Sequence, residues 1–222
     1  MSWLFQAINS SIGKKFIMAV TGIFLLIYLV IHLFGNIFLY VSKDAFNQYV
    51  YILSDSTFSY VIRVIEVILF LGFIIHSYDG IVLTIQNFIA RPNRYAVKPK
   101  EPQADMPSRI MWISASIVLI FLVIHLRNFW YVFKFGEPGA GVTMYDIVTT
   151  TFREPVYSAL YFVCMILLGF HLWHGFQSSF QTLGLNHKRY TPVIKFLGGA
   201  YSIIIAGGFA TFPVYFYFIG GK

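Results

Sequence analysis

Charge is what this chain has least of. Only 11% of its 222 residues are Asp, Glu, Lys or Arg, against roughly 25% in soluble domains, which excludes a water-soluble globule. Cysteine is nearly absent too. The one thiol, Cys164, excludes an intrachain disulfide, a cysteine-rich metal site and any C-x-x-C-H haem attachment. No phosphate loop, dinucleotide fingerprint or nucleophilic triad is present, and neither a repeat nor a low-complexity segment appears. No stretch outside the apolar runs is long enough for a soluble domain, so residues 1–222 are expected to form a single unit. What is abundant is apolar: 58% of the residues are hydrophobic and 19% aromatic. The chain reads as an integral membrane protein.

Apolar runs of about 18 residues or more mark membrane spans. Five are predicted: Phe16 to Val41, Phe58 to Ala90, Ile110 to Phe133, Pro155 to Leu183, and Pro192 to Ile219. Glycine and proline punctuate the polar connections, as in Lys98-Pro99-Lys100-Glu101-Pro102. The expected fold is an all-α bundle of five transmembrane helices. No cleavable leader is expected, because Lys14 and Lys15 run straight into a long apolar segment without a small-residue cleavage pattern.

The basic residues orient these spans. Lys14, Lys15, Arg91, Arg94, Lys98, Lys100, Arg109, Lys188, Arg189 and Lys195 share one side, which places the amino terminus in the cytoplasm and the carboxyl terminus outside. This bias accounts for much of the net charge of +7, and no nucleic-acid partner is needed to explain it.

Within that topology the histidines form a pattern. The first four spans carry His32, His76, His125, and His171 with His174; the fifth carries none. At ~1.5 Å per residue, His32 lies ~16 Å from Lys43 and His125 ~13 Å from Lys134, while His76 lies ~31 Å from Asp55 and His171 ~27 Å from Arg153. Four helices thus offer two pairs of imidazoles at two depths. Ionisable groups inside a membrane are costly and usually functional, and two iron centres with two axial histidines each would use all four. Gly72, His76 and Gly80 recur every four residues along one helix face, and Gly175 stands four after His171. Such bare patches leave room for a flat haem, although the same spacing also serves close helix packing. Zinc fits less well, because a pair of neutral histidines makes a poor structural site. A haem-free bundle whose histidines relay protons or line a solute path is the alternative of a different class. Depth alone does not separate His171 from His174, ~4.5 Å apart along the axis.

The order of these features resembles one known family. Ser11-Ile12-Gly13-Lys14-Lys15, Thr21-Gly22 ahead of His32, His76 with Gly80, His125, and Phe170-His171-Leu172-Trp173-His174-Gly175 continuing to Leu183-Gly184 resemble the dihaem cytochrome b membrane anchor of succinate dehydrogenases and quinol:fumarate reductases, the single-anchor bacterial type. The resemblance implies a quinone-reactive electron-transfer subunit in the bacterial cytoplasmic membrane, one that does not itself oxidise succinate. Two haem b groups would be held by His76 with His171 towards the cytoplasm and by His32 with His125 towards the outside. His174 would then hydrogen-bond a haem propionate or a quinone. The partners implied are a flavoprotein subunit carrying FAD, an iron-sulfur subunit and a membrane quinone, with menaquinone expected. Whether such complexes associate further stays open.

Other ionisable residues carry weaker expectations. Arg63 and Glu66, three apart, are expected to pair with each other; alternatively Glu66 accepts a proton at a quinol site beside the outer haem. Asp79 would meet a lysine, a hydroxyl or a protonated quinone. Some relatives carry a glutamate tied to proton movement where this chain has Gly169. The loop from Arg91 to Arg109, with Lys14, Lys15 and the stretch Asn186 to Lys195, is the surface expected to receive the iron-sulfur subunit.

Overall fold

The computed structural model describes residues 3–90, 106–136, 139 and 141–220. Their regular structure is entirely helical: α1 Trp3–Asn9, α2 Ser11–Val41, α3 Lys43–Ser54, α4 Ser59–Ile89, α5 Met106–Arg109, α6 Met111–His125, a π-helical segment Leu126–Tyr131, α7 Val132–Phe135, α8 Met144–Arg153, α9 Pro155–Thr182 and α10 Thr191–Phe218. The α6, π and α7 segments form one continuous rod. With α2, α4, α9 and α10 it makes five helices long and apolar enough to cross a membrane, so the chain is a multi-pass membrane protein by length and composition.

Local chemistry sets the ends. Ser10 caps α2, its hydroxyl accepting from Gly13 N at 3.0 Å, so this helix begins five residues before the apolar run that predicts it. Ser42 is extended and serves twice: its N–H closes α2 on Phe38 O, and its hydroxyl accepts from Ala45 N to start α3. Prolines stand in the first turns of α9 and α10, where a missing N–H costs nothing. Pro213 inside α10 is tolerated in the buried core, and its carbonyl accepts from Ser158 Oγ at 2.9 Å.

Packing arranges four of the long helices as an incomplete square. Helix α2 packs on α4 and on α9, and α9 packs on α6, but α4 and α6 share no substantial contact. The fifth helix, α10, lies outside the square against α9 and α2. Small residues bring these helices close, as where a Cβ on Gly169 would stand 3.3 Å from Ala206 Cβ. Helix α4 fully buries only Ser59, Asp79 and Leu83, so apart from its contact with α2 it faces lipid or the open side of the square.

Two helices exceed the expectation from hydropathy. Amphipathic α3 and α8 pack on each other at one end of the bundle, where the sequence reading has only connections. A core of Leu39, Phe46, Phe129, Val148, Phe152 and Phe216 seals this end. Lys43 Nζ reaches both carboxylate oxygens of Asp146 at 2.8 Å, tying α3 to α8. Asp146 also accepts from Thr143 N and Thr143 Oγ1, forming the box that starts α8. Arg91, Arg94, Lys98 and Lys100 of the expected docking loop lie outside the described residues.

Candidate functional site

The side chains that meet inside the square come from helices that do not pack on each other. His32 of α2 faces His125 of α6 with ring centroids 5.8 Å apart and planes at 90°. His76 of α4 faces His171 of α9 at 6.4 Å and 78°. The two pairs therefore span the two diagonals of the square. His174 is not in either pair; its Nδ1 lies 2.8 Å from Ser108 Oγ of α5.

Surroundings differ between the pairs. Tyr28 stacks on His32 at 5.4 Å and Phe209 tilts against it at 5.5 Å. Phe121, Phe129 and Tyr161 crowd His125 within 6.1 Å. At His32, the Asn36 amide donates to the His32 carbonyl at 2.8 Å and stands 3.5 Å from Nδ1. At His76, Nδ1 is 3.2 Å from Thr21 Oγ1. The Nδ1 atoms of His125 and His171 are buried without a hydrogen-bond partner, an arrangement native proteins rarely leave unanswered. His125 is also the last α-helical residue before the π segment. Such widened turns concentrate at functional sites, and nothing in the hydropathy pattern announces this one.

The glycines separate into packing and open positions. A Cβ on Gly72 would meet the Phe24 ring at 3.3 Å, and one on Gly22 would meet His76 Cε1 at 3.3 Å, so these two let helices or rings approach. Gly80 faces Met18 Sδ more loosely at 3.9 Å, and beside Gly175 nothing stands within 4 Å. Of the three glycines expected to flank a flat ligand, Gly72 serves the α2–α4 contact, whereas Gly175 borders open space one turn from His171.

These residues fit a haem better than a bare metal ion. Among the described residues no group of three or more His, Cys, Asp or Glu converges on one point. Each centre thus offers two donors, and a metal there must bring its remaining ligands with it, as the iron of a porphyrin does. A metal bonded to one nitrogen of each ring at ~2 Å sets the centroids about 6 Å apart, close to both observed separations. The α4–α6 side of the square, where the helices share no substantial contact, is the side left open.

Ionisable neighbours are arranged otherwise than their spacing suggests. Glu66 pairs with Lys134 of α7 at 3.5 Å, not with Arg63, whose guanidinium lies 5.7 Å from the Tyr60 ring centroid. The i, i+3 pairing fails because an aromatic one turn back and a lysine across the open side compete for the two charges. Asp79 is 5% exposed and has no hydrogen bond or ion pair with a described residue.

Fold and site together define a multi-pass helical membrane protein with two facing histidine pairs. No protein-family model, curated protein or solved structure matches the chain.

Proposed function

We propose that this chain is the electron-transfer anchor of a succinate:quinone oxidoreductase, carrying two b-type haems in a bacterial cytoplasmic membrane. The observation that carries the proposal is the pair of diagonals: four imidazoles from four helices, gathered two by two, with no further ligand at either centre. His32 and His125 would hold one haem, and His76 and His171 the other. Bound there, the haems supply one-electron chemistry, with potentials tuned by burial and by hydrogen bonds to the ligands.

The chain's own residues account for the rest. The aromatic shell of Tyr28, Phe121, Phe129 and Tyr161 keeps water from the His32–His125 centre. Glu66 and Lys134 bridge the open side near the α3/α8 end, where Glu66 is available to take a proton from a quinol and Lys134 balances its charge. Lys14, Lys188 and Arg189 lie at the opposite end, the proposed cytoplasmic side, where an iron-sulfur protein would approach the His76–His171 centre. That protein and its flavoprotein companion would exchange electrons with menaquinone through this chain.

Purification of the chain from a haem-replete membrane, followed by absorption spectroscopy and a haem assay, tests the proposal. Two low-spin b-type signals and two haems per chain are expected. A colourless, folded protein overturns the proposal and leaves the four histidines as a proton-relay or transport lining.

A further inference from the structure

The hydrogen bonds around Thr21 restrict the state of one histidine. A threonine hydroxyl has a single proton to donate and two lone pairs to accept with. Thr21 Oγ1 lies 2.8 Å from Ile17 O and 3.2 Å from Met18 O, and a carbonyl oxygen can only accept. The one hydroxyl proton is therefore committed to the backbone of α2. Thr21 Oγ1 also lies 3.2 Å from His76 Nδ1, beside the Met18 backbone that the same imidazole hydrogen-bonds, and towards the ring the hydroxyl has only a lone pair to offer. The bond must run from an N–H on His76 Nδ1 to the threonine oxygen. With the proton on Nδ1, the neutral ring carries its bare lone pair on Nε2.

We infer that Thr21 is the positioning residue that fixes the His76 tautomer, presenting Nε2 as the ligating nitrogen of the His76–His171 centre. Gly22 completes the device. A Cβ there would stand 3.3 Å from Cε1, the ring carbon between the two nitrogens, so a side chain at this position would press the imidazole a few tenths of an ångström away from α2 and from Thr21. Among the described residues, no other member of the two pairs has such a partner. His32 Nδ1 meets an amide at the 3.5 Å limit, and His125 and His171 Nδ1 meet nothing. An acceptor on the far nitrogen also makes an imidazole a stronger donor, and groups in this position typically govern metal affinity by 10- to 100-fold.

The inference rests on the proposed haem ligation for its redox consequence but not for its tautomer. Two measurements keep these apart. In the haem-free chain, 15N imidazole NMR should show His76 as the Nδ1–H tautomer, and Thr21→Val should release it to a mixture while Thr21→Ser restores it. In the haem-loaded chain, Thr21→Val should weaken haem retention at His76–His171 by roughly 10- to 100-fold and raise that centre's midpoint potential, because a less basic ligand stabilises ferric iron less. Thr21→Ser should recover both, and the His32–His125 centre should not move. An unchanged His76 tautomer and an unchanged potential in Thr21→Val overturn the inference. If the wild-type chain takes up no haem, the proposed function falls, and the NMR arm still decides the role of Thr21.

Discussion

Glu66 of α4 and Lys134 of α7 form an ion pair at 3.5 Å across the one side of the square where helices do not pack. Both residues are partly exposed, so the pair should contribute about 1 kcal/mol or less to stability. Replacing Glu66 with Gln is expected to leave both haem spectra intact and shift the melting temperature by no more than about 2–4 °C. In the assembled complex the same variant should lower quinol-linked turnover at least tenfold. Wild-type turnover in Glu66→Gln would remove the carboxylate from the proton path.

Under the proposed haem ligation, the two diagonals assign the ligands. His32→Ala and His125→Ala should each lose one and the same haem signal, and His76→Ala and His171→Ala should each lose the other. His174→Ala should keep both, since its imidazole is held by Ser108 and lies outside the pairs. Loss of one common signal in His32→Ala and His76→Ala would mean that the pairs are wrongly drawn.

Two glycines should respond oppositely to alanine. At Gly208 a Cβ would stand 2.9 Å from Leu33 Cδ2, the end of a flexible side chain, so Gly208→Ala should displace the Leu33 methyls and cost about 1 kcal/mol. At Gly175 nothing lies within 4 Å, and an alanine there should stiffen α9, stabilising the haem-free chain by about 0.5–1 kcal/mol. If the space beside His171 receives a macrocycle, Gly175→Ala should also reduce haem uptake at that centre alone. Equal haem content in wild type and variant would show that the space has another use.

The tie between α3 and α8 should be visible in acid. The Lys43 ammonium, aided by the Thr143 backbone and hydroxyl donors, lowers the Asp146 carboxyl from its ordinary 3.8 to about 2. A depressed folded-state value means the stabilisation is complete above about pH 4 and is lost as pH falls towards 2. Because both side chains are substantially exposed, the effect should be about 1 kcal/mol or less after screening. Wild type should therefore lose this increment of unfolding free energy between pH 4 and 2, whereas Asp146→Asn should not. A parallel pH profile for the two proteins would assign the tie no energetic role.

The five spans were legible because a bilayer demands long apolar runs, and α2, α4, α6 with α7, α9 and α10 satisfy that demand with ends displaced by a few residues. That His32 faces His125 and His76 faces His171 was legible for a related reason: constant rise per residue converts sequence distance into depth. Depth says nothing of rotation about the axis, which is why Gly72 looked like part of a ligand face and instead receives Phe24. Helices α3 and α8 were missed because their apolar faces are short and interleaved with polar residues, so they resemble loops in any count of hydrophobicity. The Thr21–His76 bond joins residues 55 apart on two helices, and only their packing reveals it.

The π segment after His125 has a bearing on how this chain can vary. A widened turn holds one residue more than an α-helical turn, so it is equivalent to an insertion absorbed within the rod. Removing one residue between Leu126 and Tyr131 would restore regular pitch and leave everything beyond it at nearly the same angle to the histidine. Lys134 would still face Glu66. Single-residue deletions should therefore be easier to accept here than elsewhere in the rod, whereas in the regular helix on the amino-terminal side of His125 the same deletion would rotate the ligand by about 100° relative to the turns before it. The rod is read in two phases, and the histidine stands at the join.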